Sequence, residues 1–289
     1  MMLNAERIHI YLESAAMTGD DFSLVNRIVE DVDLCLSSAV SISHRGVLER
    51  VFPKPESTDP TGIEREKLRK LRITSDRFSK IDTAEVISGD ATTELAQRIS
   101  DSQCDLAILV RPTSLKLPQL LRELKCPTLL MRNPGPKLRR VVVAVHVEPG
   151  SDEFYERHRV ILEHAYWLAA KCEAPLHVVQ AWSIMGEEVL KSHMRHDELR
   201  TERKKLKDAI RREIDRLLTE TRQHLVPTVE LLEGEPRDVI VRVAEEFEDQ
   251  IMVMGTVART GVPGLIVGNI AERATRTEAS FLVVPASGT

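Results

Sequence analysis

The sequence predicts an α/β protein made of two tandem, doubly wound parallel-sheet domains. Three observations predict it. Short β-branched runs alternate with long amphipathic stretches, the pattern of a parallel sheet wrapped by crossover helices. The order of these runs in residues 138–289 recurs in weaker form in residues 1–134, and a repeat of domain size implies duplication. Between the copies stands "NPGPK", residues 133–137, where Pro and Gly interrupt any regular element.

The first copy opens with the strand "RIHIYLES", followed by a helix over 20–37 and the strand "AVSISHRG". A helix over 62–81 leads to "TAEVISG", a helix near 91–102, and the strands "CDLAILV" and "CPTLLMR". The second copy begins with "RRVVVAVHVE", continuously apolar and therefore a strand buried on both faces. Residues 152–173 place Val160, Ile161, His164, Ala165, Leu168 and Ala169 on one helical stripe. The strand "PLHVVQAW" comes next, then a charged helix through 186–224 and the strand "TVELLEG". A helix near 236–248, the strand "QIMVMG", a glycine loop with its helix, and the strand "SFLVVPA" complete the copy. The two copies align without a gap from Glu85 and Glu230, so that Gly89 falls on Gly234.

Composition narrows the class. A 42% hydrophobic chain of 289 residues can bury a core in each half. Its net charge of −5 is spread along the chain, which gives no broad attraction to nucleic acid or to an anionic membrane. Neither a basic, apolar leader nor a run of about 20 apolar residues is present, so a cytoplasmic location is expected. Cys35, Cys104, Cys126 and Cys172 are far apart in sequence, as suits reduced, buried thiols rather than a disulfide framework or zinc site.

The most informative stretch is "MGTVARTGVPGLIVGNIAERA", Met254 to Ala274. A loop rising from a parallel strand into a helix N-terminus presents unpaired N–H groups and the positive end of the helix dipole, and both attract phosphate. Glycines such as Gly255, Gly261, Gly264 and Gly268 let the backbone approach an anion; equally, they shape a tight strand-to-helix connection. The spacing matches neither a Walker A loop nor GxGxxG. The first copy has no such loop: it crosses from Val110 to Leu129 in fewer residues than the second takes from Gly255 to Leu282.

The segment Met252 to Pro285 resembles the C-terminal segment of the universal stress protein family, which carries Gly, two residues, Gly, nine residues, Gly and then Ser or Thr. The segment "LLEGEPRDVIVRVAEE" and the doubled domain extend the resemblance, and the tandem subgroup of the bacterial universal stress protein E type also reads "GTVGRTG" and ends its loop in Gly-Asn. The resemblance implies the adenine nucleotide alpha hydrolase-like fold, a stress-response or regulatory role, and ATP or another adenine nucleotide as the ligand to consider. It also implies pairing of the two domains through "CPTLLMR" and "SFLVVPA", or a homodimer.

Carried over residue by residue, the motif departs from the nucleotide-binding pattern. Gly255 and Gly268 match, but the second glycine falls on Ala258, and the Ser/Thr position is Asn269. A methyl at Ala258 crowds a phosphate on the backbone and costs about 1 kcal/mol if φ is positive. Asn269 with Glu272 reads as a capping box, so its side chain serves its own helix. The family's adenosine-contacting Asp falls on His146, and aligning Arg7 with Arg140 places Glu13 at the same point of the first copy. Arg259 supplies a guanidinium for an anion. The candidate set is therefore His146, Gly255, Thr256 and Ala258, with Arg259, Gly268, Asn269 and Ile270. The reading is a non-catalytic module with a degenerate loop; an ATP-binding protein or weak ATPase of the same fold is the alternative.

Other constellations are weaker. His193 and His196 with Asp197 share a helix face but have no third metal ligand at motif spacing. His158 and His164 read as packing or surface residues, and no nucleophile–base arrangement is evident. In the charged helix, Leu199, Leu206, Ile210, Ile214 and Leu217 form a narrow seam suited to its own sheet or partly to a partner helix.

Overall fold

The computed structural model describes residues 6–13, 23–29, 33–39, 83–87, 90–132, 137–152, 155–184, 195–221, 224–255 and 277–285. The chain divides into two compact units, Asn4–Lys137 and Leu138–Thr289 with Met1–Leu3. In the first, the described elements are β1 (Arg7–Glu13), α1 (Ser23–Ile28), β2 (Asp33–Ala39), β3 (Thr83–Ile87), α2 (Ala91–Asp101), β4 (Leu106–Val110), α3 (Leu117–Glu123) and β5 (Thr128–Met131). Its strands lie in the order β3-β2-β1-β4-β5, and each neighbouring pair is parallel. The central strands carry the core: Ile8, Ile10 and Tyr11 of β1, and all of β4, are buried.

One expected helix is overturned. The helix read over 20–37 ends at Ile28, and Asp33–Ala39 is instead a strand, in register with β1 from Arg7↔Asp33 to Glu13↔Ala39. Leu24, Val25 and Ile28 have the helical spacing and are buried, whereas Leu34 and Leu36 alternate with period two. Pairing with a buried central strand decides the second segment against its neighbour's helix. Of the strand expected at "AVSISHRG" only Ala39 is described, as the last residue of β2; residues 40–82, with the helix read over 62–81, lie outside the described residues. A short helix, α3, fills the connection from β4 to β5, burying Leu117, Leu120 and Leu121 at helical spacing, an element the length of the connection alone did not reveal.

The second unit contains β6 (Arg140–Ala144), α4 (Tyr155–Cys172), β7 (Leu176–Trp182), α5 (His196–Thr221), β8 (Thr228–Glu233), α6 (Pro236–Ala244), β9 (Gln250–Gly255) and β10 (Ser280–Val284). Its strand order is β10-β9-β6-β7-β8, parallel throughout. Val141, Val142 and Val143 are fully buried, and α4 covers β6 and β9 with Ile161, Leu162, Ala165, Leu168 and Ala169. Burying each of the Ile and Leu side chains contributes about 1.5–3 kcal/mol, and each Ala less. The edge strand β8 alternates between exposed and half-buried residues, as one solvated face requires.

The charged helix α5 buries Leu199, Ile210, Ile214 and Leu217, leaves Leu206 half-buried, and packs against α4 of its own unit. Arg216 ties the two together: it lies 4.5 Å over the Tyr155 ring and 3.1 Å from Asp152. Helix α6 stops at Ala244, short of the expected 248, because a side chain satisfies its last carbonyls. Buried Gln250 donates to Val243 O at 2.6 Å and to Ala244 O at 3.0 Å, while its Oε1 accepts from Arg140 Nε at 2.9 Å. Among the described residues, no helix is long and apolar enough to cross a membrane.

Gly234 closes β8 with φ +135°, and its N–H donates to Trp182 O at 3.0 Å. A Cβ there would stand 3.1 Å from Val239 Cγ2. Gly234→Ala is expected to cost about 1–2 kcal/mol through the forbidden φ and the contact. Both tryptophans, Trp167 and Trp182, lie in the second unit, so urea unfolding followed by tryptophan fluorescence reads that cost directly.

Candidate functional site

In an open parallel sheet, ligands bind beyond the carboxyl ends of the strands where strand order reverses. In the second unit the chain adds β7 and β8 on one side of β6, then returns to place β9 and β10 on the other. The crevice therefore opens between the ends of β6 and β9, at His146 and Gly255.

His146 is held from both sides. Val145 N–H donates to Val179 O at 3.0 Å. Beyond it, buried Gln180 grips Val147 with both ends of its amide: Oε1 accepts from Val147 N at 3.0 Å and Nε2 donates to Val147 O at 2.9 Å. The segment after β6 is thereby fixed to β7 although the strand ladder has ended. The His146 side chain, 32% exposed, has its Nε2 3.0 Å from Glu148 Oε1. A turn through Gly150, closed by Ser151 N–H donating to Glu148 O, returns the chain toward α4. From α4, His158 meets His146 edge to face, with ring centroids 6.4 Å apart. Burial, then the nearby His146 and Arg157, push His158 down to about 4.

Gly255 ends β9 under α4. A Cβ on it would lie 2.8 Å from Ile161 Cδ1, so a side chain there would first have to displace that methyl at the end of a flexible side chain. Thr256, Ala258, Arg259, Gly268, Asn269 and Ile270 lie outside the described residues, as does His193; His196 and Asp197 are exposed at the start of α5. Among the described residues no three His, Cys, Asp or Glu side chains converge as a metal site.

Two contributors were not singled out in the sequence, and a third was given a different role. Glu148 returns a carboxylate to the place where His146 removed one, two residues further along the chain. Gln180 was hidden in an apolar strand, though a buried amide in such a run is itself a signal that two backbone groups need partners. His158, read as a packing or surface residue, is brought to His146 by the crossover. The set offers an imidazole–carboxylate pair beside a neutral ring, which can exchange hydrogen bonds with a polar ligand; no hydroxyl or thiol nucleophile stands within it among the described residues.

The corresponding point of the first unit lies between β1 and β4, where Glu13 ends β1. Its carboxylate accepts from the amides of Thr113 and Ser114, the latter at 3.0 Å, and from Thr113 Oγ1 at 2.7 Å. The approach to these donors turns through Arg111 at φ 48°, and Tyr11 Oη lies 3.3 Å from Ser114 Oγ. The end of β1 is thus bound to the segment that follows β4.

This architecture defines a doubly wound α/β protein in which strand order reverses once in each unit. A sequence model described as the universal stress protein family matches residues 137–285, and the chain belongs to that family. Among solved structures, a Pseudomonas aeruginosa protein assigned to the universal stress proteins is similar at 21% identity and TM-score 0.66, with 99% of this chain and 95% of that one covered. A second P. aeruginosa protein, of unknown function, has 21% identity and TM-score 0.65 over 99% and 94%. A universal stress protein from Archaeoglobus fulgidus has 15% identity and TM-score 0.51 over 97% and 98%. These likenesses establish the fold across the whole chain. Among curated proteins, no match to the sequence reaches significance.

Two outcomes test these geometries. Removing the carboxylate in Glu13→Ala hands two amides and a hydroxyl to solvent, at an expected cost of about 1 kcal/mol because the cluster is exposed; hydrogen exchange of the β1 and β4 amides reports it. For His158, the unfolded imidazole takes up a proton near pH 6.5 and the folded one only near about 4. The unfolded chain binds more protons between these values, so stability is complete above about pH 6.5 and is lost as pH falls toward about 4. His9, pushed down to about 4 by burial and then by Arg98, gives the same sign in the first unit. The tryptophan-detected urea midpoint should fall between pH 7 and pH 5, and His158→Gln should flatten that fall.

Proposed function

We propose that this chain is a cytoplasmic stress-response or regulatory binding module without catalytic activity, whose second-unit glycine loop is a degenerate nucleotide site. The observation that carries the reading is the His146–Glu148 pair at the strand-order reversal. Where the family resemblance implies a carboxylate facing a ribose, this chain presents an imidazole whose Nε2 lies against its own Glu148. A carboxylate engaged with a protein imidazole is a poorer acceptor for a ribose hydroxyl. The sequence at Ala258 and Asn269 supports the same direction, since a methyl crowds a phosphate on the backbone and Asn269 with Glu272 reads as a capping box. In the first unit Glu13 is engaged by Thr113 and Ser114, which supports a structural role for that copy.

Arg259 and the surviving Gly255 and Gly268 keep some attraction for an anion, so an adenine nucleotide is a weak ligand on this reading. Purified protein should carry no nucleotide and show no thermal shift with millimolar ATP. The triple variant His146→Asp, Ala258→Gly, Asn269→Ser should gain an ATP-dependent shift, because it restores the acceptor, the close backbone approach and the hydroxyl together. Wild-type protein that copurifies with ATP and releases phosphate, with Gly268→Val abolishing both, would overturn the reading in favour of an ATPase.

A further inference from the structure

Two of the cysteines, set far apart in sequence, meet in the first unit. Cys104 follows Gln103, whose left-handed φ of 46° turns the chain from α2 into β4. Cys126 stands between α3 and β5. Because β4 and β5 are parallel neighbours with Ala107 opposite Thr128, the two entering segments run side by side, joined by the Ala107 N–H donating to Pro127 O at 2.9 Å. The Cys104 and Cys126 sulfurs are 3.7 Å apart. Both are free thiols, Cys104 8% exposed and Cys126 half-buried.

We propose that Cys104 and Cys126 form a dithiol that a hydroperoxide oxidises to an intramolecular disulfide, a modification site at the entrance to β4 and β5. A disulfide needs a sulfur–sulfur distance of about 2.05 Å, and the closing travel is shared by two side chains on segments outside the strand ladder. The hydrogen bond from Cys126 favours the thiolate at Cys104, while Cys104 and burial push the Cys126 thiol up. Cys104 is taken as the nucleophile and Cys126 as the resolving group, an assignment that the sulfenic acid measurement on the single variants decides. The Cys104 thiolate attacks the peroxide, forming an S–O bond as the O–O bond breaks and hydroxide, or alkoxide, leaves. Cys126 sulfur then attacks the sulfenic sulfur; the S–S bond forms, the S–O bond breaks, and water departs with the Cys126 proton. Two thiols and one hydrogen peroxide thus give one disulfide and two waters, and a thiol reductant reverses the change. Nothing in this chemistry involves the glycine loop, so it stands or falls separately from the nucleotide reading.

The test is hydrogen peroxide treatment of the full-length folded protein, alkylation of remaining thiols, and non-reducing peptide mapping. Expected is a Cys104–Cys126 cross-link, two hydrogens lighter and reversed by dithiothreitol, forming about tenfold or more faster than Cys172 loses its alkylatable thiol. Cys172 is 1% exposed and provides the internal control. In Cys126→Ser, Cys104 should instead accumulate a dimedone-reactive sulfenic acid. Wild-type protein in which both thiols stay alkylatable under peroxide, or in which the cross-link joins Cys35 or Cys172, overturns the proposal. A sulfenic acid appearing on Cys126 of Cys104→Ser as fast as on Cys104 of Cys126→Ser overturns the assignment of roles.

Discussion

Parallel strands can be linked only by crossovers, and a chain that winds outward from a central strand must at some point return to that strand's other side. In each unit this return happens once, beside β1 and beside β6, and it sets the carboxyl ends of two strands side by side where their connections part in opposite directions. The rest of the structure follows from this constraint. It makes β1, β4, β6 and β9 the buried centre, with Val141 to Val143 and all of β4 out of contact with water. It also brings to one place residues from strand ends far apart in sequence.

The two reversals show what that placement does to a single side chain. Glu13 ends β1 and binds the amides that follow β4; His146, just past β6, is anchored through Val147 to Gln180 and paired with Glu148. A carboxylate accepting two backbone amides and a hydroxyl is spent on its own chain. An imidazole held by a carboxylate and flanked by a neutral His158 remains at the mouth of a crevice. The corresponding points of the two units thus differ: one carboxylate is engaged by its own chain, and the other point presents a half-exposed polar face.

Much of this was legible in the sequence where the local signal agreed with the tertiary demand. The continuous apolar run of β6, the helical stripe of α4 and the glycine after β8 each read correctly because burial and periodicity point the same way. Within that stripe, Leu162 is buried and Val160 only half-buried, a rotation that packing on β6 and β9 selects. The segment 20–37 misled because helical spacing up to Ile28 gives way to strand spacing at Asp33 without a glycine or proline to mark it, and strand pairing with β1 made the decision. Helix α6 ended early for an equally non-local reason: Gln250, beyond the helix, caps it.

The sequence by itself determined the α/β class and, through its glycine spacing, the family. These are properties of periodicity and residue identity, which are local in the chain. Only the tertiary structure decided that Glu148 faces His146, that His158 arrives from α4 as a neutral ring, that Glu13 is engaged by Thr113 and Ser114, and that Cys104 meets Cys126. Each of these contacts depends on which strands lie side by side and in what register. That is decided by strand pairing, whose register fixes which strand ends and which connecting segments stand opposite one another.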